Sequence, residues 1–181
     1  MQGCAWLSDA ERKRLLAACE RSRWDKLSLL VKMAIGTGAR RAELLGLHWC
    51  DIDFDRHTAT LHTTKNKDKR VLPLPDAIMV ELQPFRRVGK VLVFESRHNP
   101  GRPTAVRLHW EAALKAANVT DFRFHDLRHT AASYLVMGGA SLAEIGDILG
   151  HRSAQTSKRY AHLSTEHKAA LAERLLGKML E

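Results

Sequence analysis

Leu15, Leu16 and Cys19 fall on one face of a 3.6-residue repeat, and the segment carrying them opens with Ser8 followed three residues later by Glu11. A serine hydroxyl accepts from a first-turn helix amide while the glutamate reaches back, so the pair marks a helix start. A second apolar segment, Leu27 to Ile35, predicts another helix, ended by Gly36 and Gly38 just before Arg40. Arg40 and its neighbours therefore open on a turn. Between Ile52 and Leu74 the period shortens to two. The runs Thr58-Ala59-Thr60-Leu61-His62 and Val71-Leu72-Pro73-Leu74 flank Lys65-Asn66-Lys67-Asp68-Lys69-Arg70, which predicts a small antiparallel sheet with a basic hairpin tip. Pro75 suits the start of a further helix, Val91 to Phe94 a short strand, and Ser96 to Pro103 a loop.

Helical spacing returns in the second half. His125 to Val136 is amphipathic and stops at Gly138-Gly139. Ser141 and Glu144 cap the next helix, whose Leu142, Ile145 and Leu149 face a core. A last helix, from about Thr165 to Leu180, carries Ala169, Leu171, Leu175, Leu176 and Met179 on an apolar stripe. The expected fold is mainly α with a small antiparallel sheet, an α+β architecture. A chain of 181 residues is long enough for one good core and short for two, so residues 1–181 are read as a single domain.

Charge narrows the range of partners. Twenty-nine Lys and Arg against 20 Asp and Glu give a formal net charge of +9, which favours a polyanion whose condensed counterions are released on binding. Cys4, Cys19 and Cys50 are odd in number and scattered, which suits reduced thiols better than a disulfide framework or a zinc site. The sequence shows no apolar run of bilayer length and no basic start with an apolar stretch at its N-terminus, so a cytoplasmic protein without a membrane partner is expected.

The candidate chemistry lies in Arg40, Lys65, His125, Arg128, His151 and Tyr160: two guanidinium forks, an ammonium, two imidazoles and a phenol. A guanidinium stays charged at any working pH and donates two parallel hydrogen bonds, so two of them can grip the non-bridging oxygens of one phosphate. His125 and Arg128, three apart on a predicted helix, share a face. The His125-x-x-x-His129 spacing is also half of a metal site, but Asp126 stands where the HExxH motif has glutamate and no third ligand is suitably spaced. His129 is better read as a packed helix histidine. Tyr134 lies among Ala131, Ala132 and Leu135 and reads as a packing residue, whereas Tyr160 follows Ser157, Lys158 and Arg159 and is poorly placed for a core.

The blocks Thr37-Gly38-Ala39-Arg40-Arg41-Ala42-Glu43-Leu44, His125-Asp126-Leu127-Arg128-His129-Thr130, Leu149-Gly150-His151-Arg152 and Lys158-Arg159-Tyr160-Ala161-His162 stand in that order. In wording and order they resemble the tyrosine recombinase (phage integrase) family, and the resemblance runs from about Trp6 to the C-terminal helix. It implies that family's catalytic-domain fold, with the N-terminal helical core-binding domain of most members absent from this chain. By this resemblance Tyr160 attacks DNA to give a 3′-phosphotyrosyl link, and Arg40, chosen over Arg41 on the family pattern alone, binds the phosphate with Arg128. His125 contacts the phosphate or handles the nucleophile's proton, and His151 donates to a phosphate oxygen. Lys65 best matches the hairpin lysine that protonates the leaving 5′-oxygen. Glu43 matches an acidic position and is expected to orient an arginine or histidine. Lys67, Lys69 and Arg70 at the hairpin, with Arg152, are expected to touch DNA.

The resemblance also implies double-stranded DNA as partner, a tetramer on DNA and a monomer without DNA, with the C-terminal helix either docking on the next subunit or packing back onto its own domain. No metal or ATP is required, in keeping with a sequence that has no P-loop and no carboxylate cluster of the kind that holds magnesium. A nicking-closing enzyme of the type IB topoisomerase kind, and a non-catalytic DNA-binding relative, are the alternatives. For a chain lacking the core-binding domain, DNA binding is expected to be weak and strongly salt-dependent. Titration of a labelled duplex at rising salt checks this, and nanomolar sequence-specific affinity at moderate salt would contradict it.

Overall fold

The computed structural model describes residues 6–62, 69–150 and 160. The chain forms two compact units, Met1–Thr130 and Ala131–Glu181, and the described apolar residues gather into one cluster in each.

In the first unit, helix α1 (Asp9–Glu20) starts at the expected capping box, with the Ser8 hydroxyl accepting from the Glu11 amide and Glu11 accepting from the Ser8 amide. It buries Leu15, Ala18 and Cys19 against α2 (Leu27–Thr37). Helix α2 runs through Gly36 and stops at Gly38, whose φ of 62° is the left-handed conformation that glycine adopts at least cost. Gly36 has a packing role: a Cβ there would lie 2.8 Å from Ile78 Cδ1. Ile78 belongs to α4 (Asp76–Leu82), which begins after Pro75 as expected and packs on α2. Between the two lies the short α3 (Arg41–Leu45), with Arg40 at its N-cap.

Strands β1 (Ile52–Asp53), β2 (Thr58–His62) and β3 (Lys69–Pro73) form an antiparallel sheet in the order β1-β2-β3. Leu61 pairs with Arg70 and Ala59 with Leu72. Directly opposed residues share a face and faces alternate along a strand. Ala59, Leu61, Arg70 and Leu72 thus lie on the core face, whereas Lys69 and Val71 are exposed on the other.

Two expectations need correction. Val91 to Phe94 is not a strand. Leu92 makes only an isolated bridge to His48, because the opposing segment turns at once into a 3-10 turn over Trp49–Asp51 and cannot extend a ladder. A helix missing from the sequence reading, α5 (Arg107–Ala117), buries Trp110, Ala113 and Ala117. It packs on α1, where Arg14 Nε donates to the Ala117 carbonyl at 3.0 Å. Its buried face is mostly alanine, which gives a faint apolar signal.

Helix α6 (Asp126–Met137) begins in the first unit and ends in the second. Within the second unit, α7 (Leu142–Leu149) starts at the predicted capping box of Ser141 and Glu144 and stops at Gly150, φ 66°. Ala132, Val136, Ile145, Leu149 and Tyr160 form its apolar cluster. The predicted last helix lies outside the described residues. Among those residues, no helix is long and apolar enough to cross a membrane.

Candidate active site

The site begins where α2 ends. Gly38 turns the chain, and Arg40 enters α3 with extended backbone angles while Glu43 occupies the third helical position. That spacing lets the Glu43 carboxylate fold back on the start of its own helix, as the acidic member of a capping box does. Its Oε2 accepts from the Arg40 amide at 2.8 Å and its Oε1 from Arg40 Nη1 at 2.7 Å. A second arginine arrives from the sheet, with Arg70 Nη2 donating to Glu43 Oε2 at 2.9 Å. Arg40 remains about half exposed, with 49% of its side chain open, whereas Glu43 and Arg70 show 16% and 19%.

Strand alternation explains why Arg70 is there and not at the hairpin tip. It occupies the inner face beside Leu72, where a charge requires a partner of opposite sign. Burial lowers the Arg70 pKa and the neighbouring Arg40 adds to this, while Glu43 opposes both. Burial also tends to raise the Glu43 carboxyl pKa, but the Arg40 amide, the Arg40 guanidinium and Arg70 outweigh it and hold it below the ordinary 4.5. Because the folded value is depressed, this carboxylate adds stability that is complete above about pH 4.5 and lost as pH falls through the folded value. Glu43→Gln is therefore expected to flatten the acid side of the stability curve. Thermal melts between about pH 3 and 6 check this, and an unchanged slope would contradict it.

Arg128 joins the same unit from α6. Its side chain is buried, 5% exposed, and Nη1 donates to the Gly38 carbonyl at 2.7 Å, across 90 residues of sequence. A buried guanidinium is costly unless its donors are used, so this bond fixes both the side chain and the turn that leads into Arg40. His125 sits in the turn just before α6, not within the helix, and is exposed; its carbonyl accepts from the Arg128 amide at 3.1 Å. The His125 and His129 rings meet edge to face, with centroids 5.5 Å apart. Among the described residues, no group of three or more His, Cys, Asp or Glu side chains is placed to hold a metal ion.

Tyr160 belongs to the second unit. Contrary to the expectation that it is poorly placed for a core, it lies in a turn, 2% exposed, and belongs to the apolar cluster of Ala132, Val136, Ile145 and Leu149. Lys69 is the exposed first residue of β3, paired with His62. Lys65, Lys67, His151 and Arg152 lie outside the described residues. The structure thus places Arg40, Glu43, Arg70 and Arg128 in one unit, where Arg40 and Arg70 share the Glu43 carboxylate and Arg128 bonds the Gly38 carbonyl. Two of these links escaped the sequence reading: the Gly38 carbonyl as the anchor of Arg128, and Arg70 as a partner of Glu43. A backbone acceptor leaves no trace in residue identity. The inward register of Arg70 was available from its i, i+2 spacing to Leu72 and Leu74.

The fold is that of tyrosine recombinase catalytic domains. The catalytic domain of bacteriophage HP1 integrase matches at a TM-score of 0.75 and 28% identity, over 94% of each chain. XerA recombinase shares the fold, with a TM-score of 0.77 at 23% identity over 94% of this chain and 64% of that one. The integrase of Salmonella phage P22 is 33% identical over 178 residues, 90% of this chain and 44% of its own length. Tyrosine recombinase XerC of Corynebacterium glutamicum is 34% identical over 146 residues, 77% of this chain and 47% of its own length. The sequence profile of the phage integrase family matches residues 5–167, and the chain belongs to that family. It spans less than half the length of these two relatives.

Proposed function

We propose that the chain is the catalytic domain of a site-specific DNA recombinase that cleaves and rejoins strands through Tyr160. The phenolic oxygen attacks a backbone phosphorus, forming a tyrosyl ester to the 3′-phosphate as the bond to the 5′-oxygen breaks. Lys65 gives that oxygen its proton, His125 takes up the proton of the phenol, and His151 donates a hydrogen bond to a phosphate oxygen. Arg40 and Arg128 bind the non-bridging oxygens as negative charge builds on them, the point at which fixed donors accelerate a reaction. The ester stores the energy of the broken bond, so a 5′-hydroxyl from a partner duplex reverses the step with no nucleotide consumed. The hairpin lysines Lys67 and Lys69, together with Arg152, hold backbone phosphates.

The observation that carries this reading is the bond from buried Arg128 to the Gly38 carbonyl. It ties the arginine of α6 to the turn that leads into Arg40. The preorganisation suits a phosphodiester, whose two non-bridging oxygens need donors from two directions. Tyr160 is 2% exposed, so attack on a duplex requires its hydroxyl to become accessible. Double-stranded DNA and further copies of the chain, assembled as a tetramer through the C-terminal helix, complete this reading, which places the protein in the cytoplasm.

The test is incubation of the chain with 5′-labelled nicked duplexes of randomised sequence, in chelator, followed by a denaturing gel. A labelled band at the mass of protein plus strand supports the proposal. Relaxation of supercoiled plasmid with no exchange between duplexes would favour a nicking-closing enzyme instead.

A further inference from the structure

We infer that Arg70 is a positioning residue for strand cleavage: it shares the Glu43 carboxylate with Arg40 and thereby sets the direction of the Arg40 guanidinium and how much of the Glu43 negative charge falls on it. The inference rests on the recombinase reading and goes beyond it, because Arg70 sits at the end of the basic hairpin segment, where its charge alone would suggest a contact to the DNA backbone. Three facts point elsewhere. The register of β2 and β3 puts Arg70 on the core face opposite Leu61, with only 19% of its side chain open. Its Nη2 lies 2.9 Å from Glu43 Oε2, the oxygen that also takes the Arg40 amide at 2.8 Å. Arg40, its side chain half open, is held through the other oxygen at 2.7 Å.

The arrangement has two physical consequences. A carboxylate anchored on both oxygens cannot swing, so the arginine it holds keeps one rotamer and presents its remaining donors in a fixed direction. Charge matters as well. A Glu43 carboxylate shared with Arg70 offsets less of the Arg40 charge than one paired with Arg40 alone, which leaves Arg40 more attractive to an anion. Loss of Arg70 therefore loosens Glu43 and leaves its full negative charge to Arg40. Binding of duplex by the rest of the basic surface is unaffected by either change.

The experiment is a double-mutant cycle on the 181-residue chain, using the 5′-labelled pool of randomised nicked duplexes. Arg70→Met is expected to slow adduct formation at saturating DNA by about 10- to 100-fold while the half-saturating DNA concentration moves less than about 3-fold. In a Glu43→Gln background the same substitution is expected to cost less than about 2-fold, since the carboxylate it acts through is gone. Arg70→Lys, which keeps the charge and one donor, is expected to recover most of the rate. Melting curves of every variant show which are folded, and Arg70→Lys keeps the test alive if Arg70→Met is not. Equal rate losses with and without Glu43, or a loss confined to half-saturation, would overturn the inference and return Arg70 to DNA contact or general stability. If the unaltered chain forms an adduct that needs Tyr160, those outcomes count against Arg70 alone. If it forms none, the recombinase reading falls and the role of Arg70 falls with it.

Discussion

Tyr160→Phe is expected to remove the covalent protein–DNA adduct proposed above, with a fall on the order of 10⁴-fold or more in its rate of formation. Phenylalanine keeps the ring and hence the packing against Ala132, Val136, Ile145 and Leu149, so the fold survives. The hydroxyl that is lost contributes about 1 kcal/mol of stability in a typical buried hydrogen bond, a cost a folded domain tolerates. Noncovalent DNA binding is expected to stay within a few-fold, because the phenol carries no charge that a phosphate would read at neutral pH. A gel of the nicked-duplex reaction checks the first claim and a titration of intact duplex the second. An adduct that persists in the Phe variant would place the nucleophile elsewhere. Because the side chain is 2% exposed, substitutions that loosen its cluster without removing it, such as Ile145→Val, are expected to raise the fraction of chains able to react.

What could be read in the sequence was what is written in side-chain identity and short-range period. Capping boxes at Ser8 and Ser141, the glycine stop at Gly38 and the alternation of β2 all appear where the pattern put them. Helix α5 was lost because alanine is as much at home on a surface as in a core, so Trp110, Ala113 and Ala117 make a weak stripe. The strand expected from Val91 to Phe94 was wrong for the opposite reason. Its apolar residues are buried, Val93 and Phe94 completely, but burial does not supply a partner strand, and the chain at Leu47–Trp49 offers hydrogen bonds at two points only. His125 lies one residue outside its helix, the usual uncertainty of a boundary.

The site divides along similar lines. Family wording names Arg40, His125, Arg128 and Tyr160, but it is silent on how they are held. Glu43 has two arginine partners, one of them on a strand, and that link is set by tertiary structure: Glu43 and Arg70 are 27 residues apart. The Gly38 carbonyl is invisible in a sequence because every residue has one. Its φ of 62° aims that carbonyl where Arg128 can reach it, so the glycine has a reason to be there beyond ending α2.

Substitution of Arg128 should separate its two tasks. Arg128→Ala deletes the donor to the Gly38 carbonyl and opens a hole where a buried side chain stood, which costs about 1–3 kcal/mol for the unmet acceptor before any packing loss. Lower stability alone would then be an ambiguous result. Arg128→Lys is the sharper variant. A lysine keeps the positive charge and can still donate to a carbonyl, but its single ammonium cannot bond that carbonyl and grip a phosphate in the planar two-pronged fashion of a guanidinium. Expected for Arg128→Lys is a loss of about 10²–10³-fold in adduct formation at saturating DNA, the range seen when one preorganised donor to a developing negative charge is removed. Duplex affinity should change by no more than a few-fold, since most of it comes from charges spread over the surface. Melting curves of the two variants, set beside their adduct rates, decide the matter. If Arg128→Lys cleaves at the unaltered rate, Arg128 serves only to brace the turn at Gly38, and the phosphate must be held by Arg40 and the imidazoles without it.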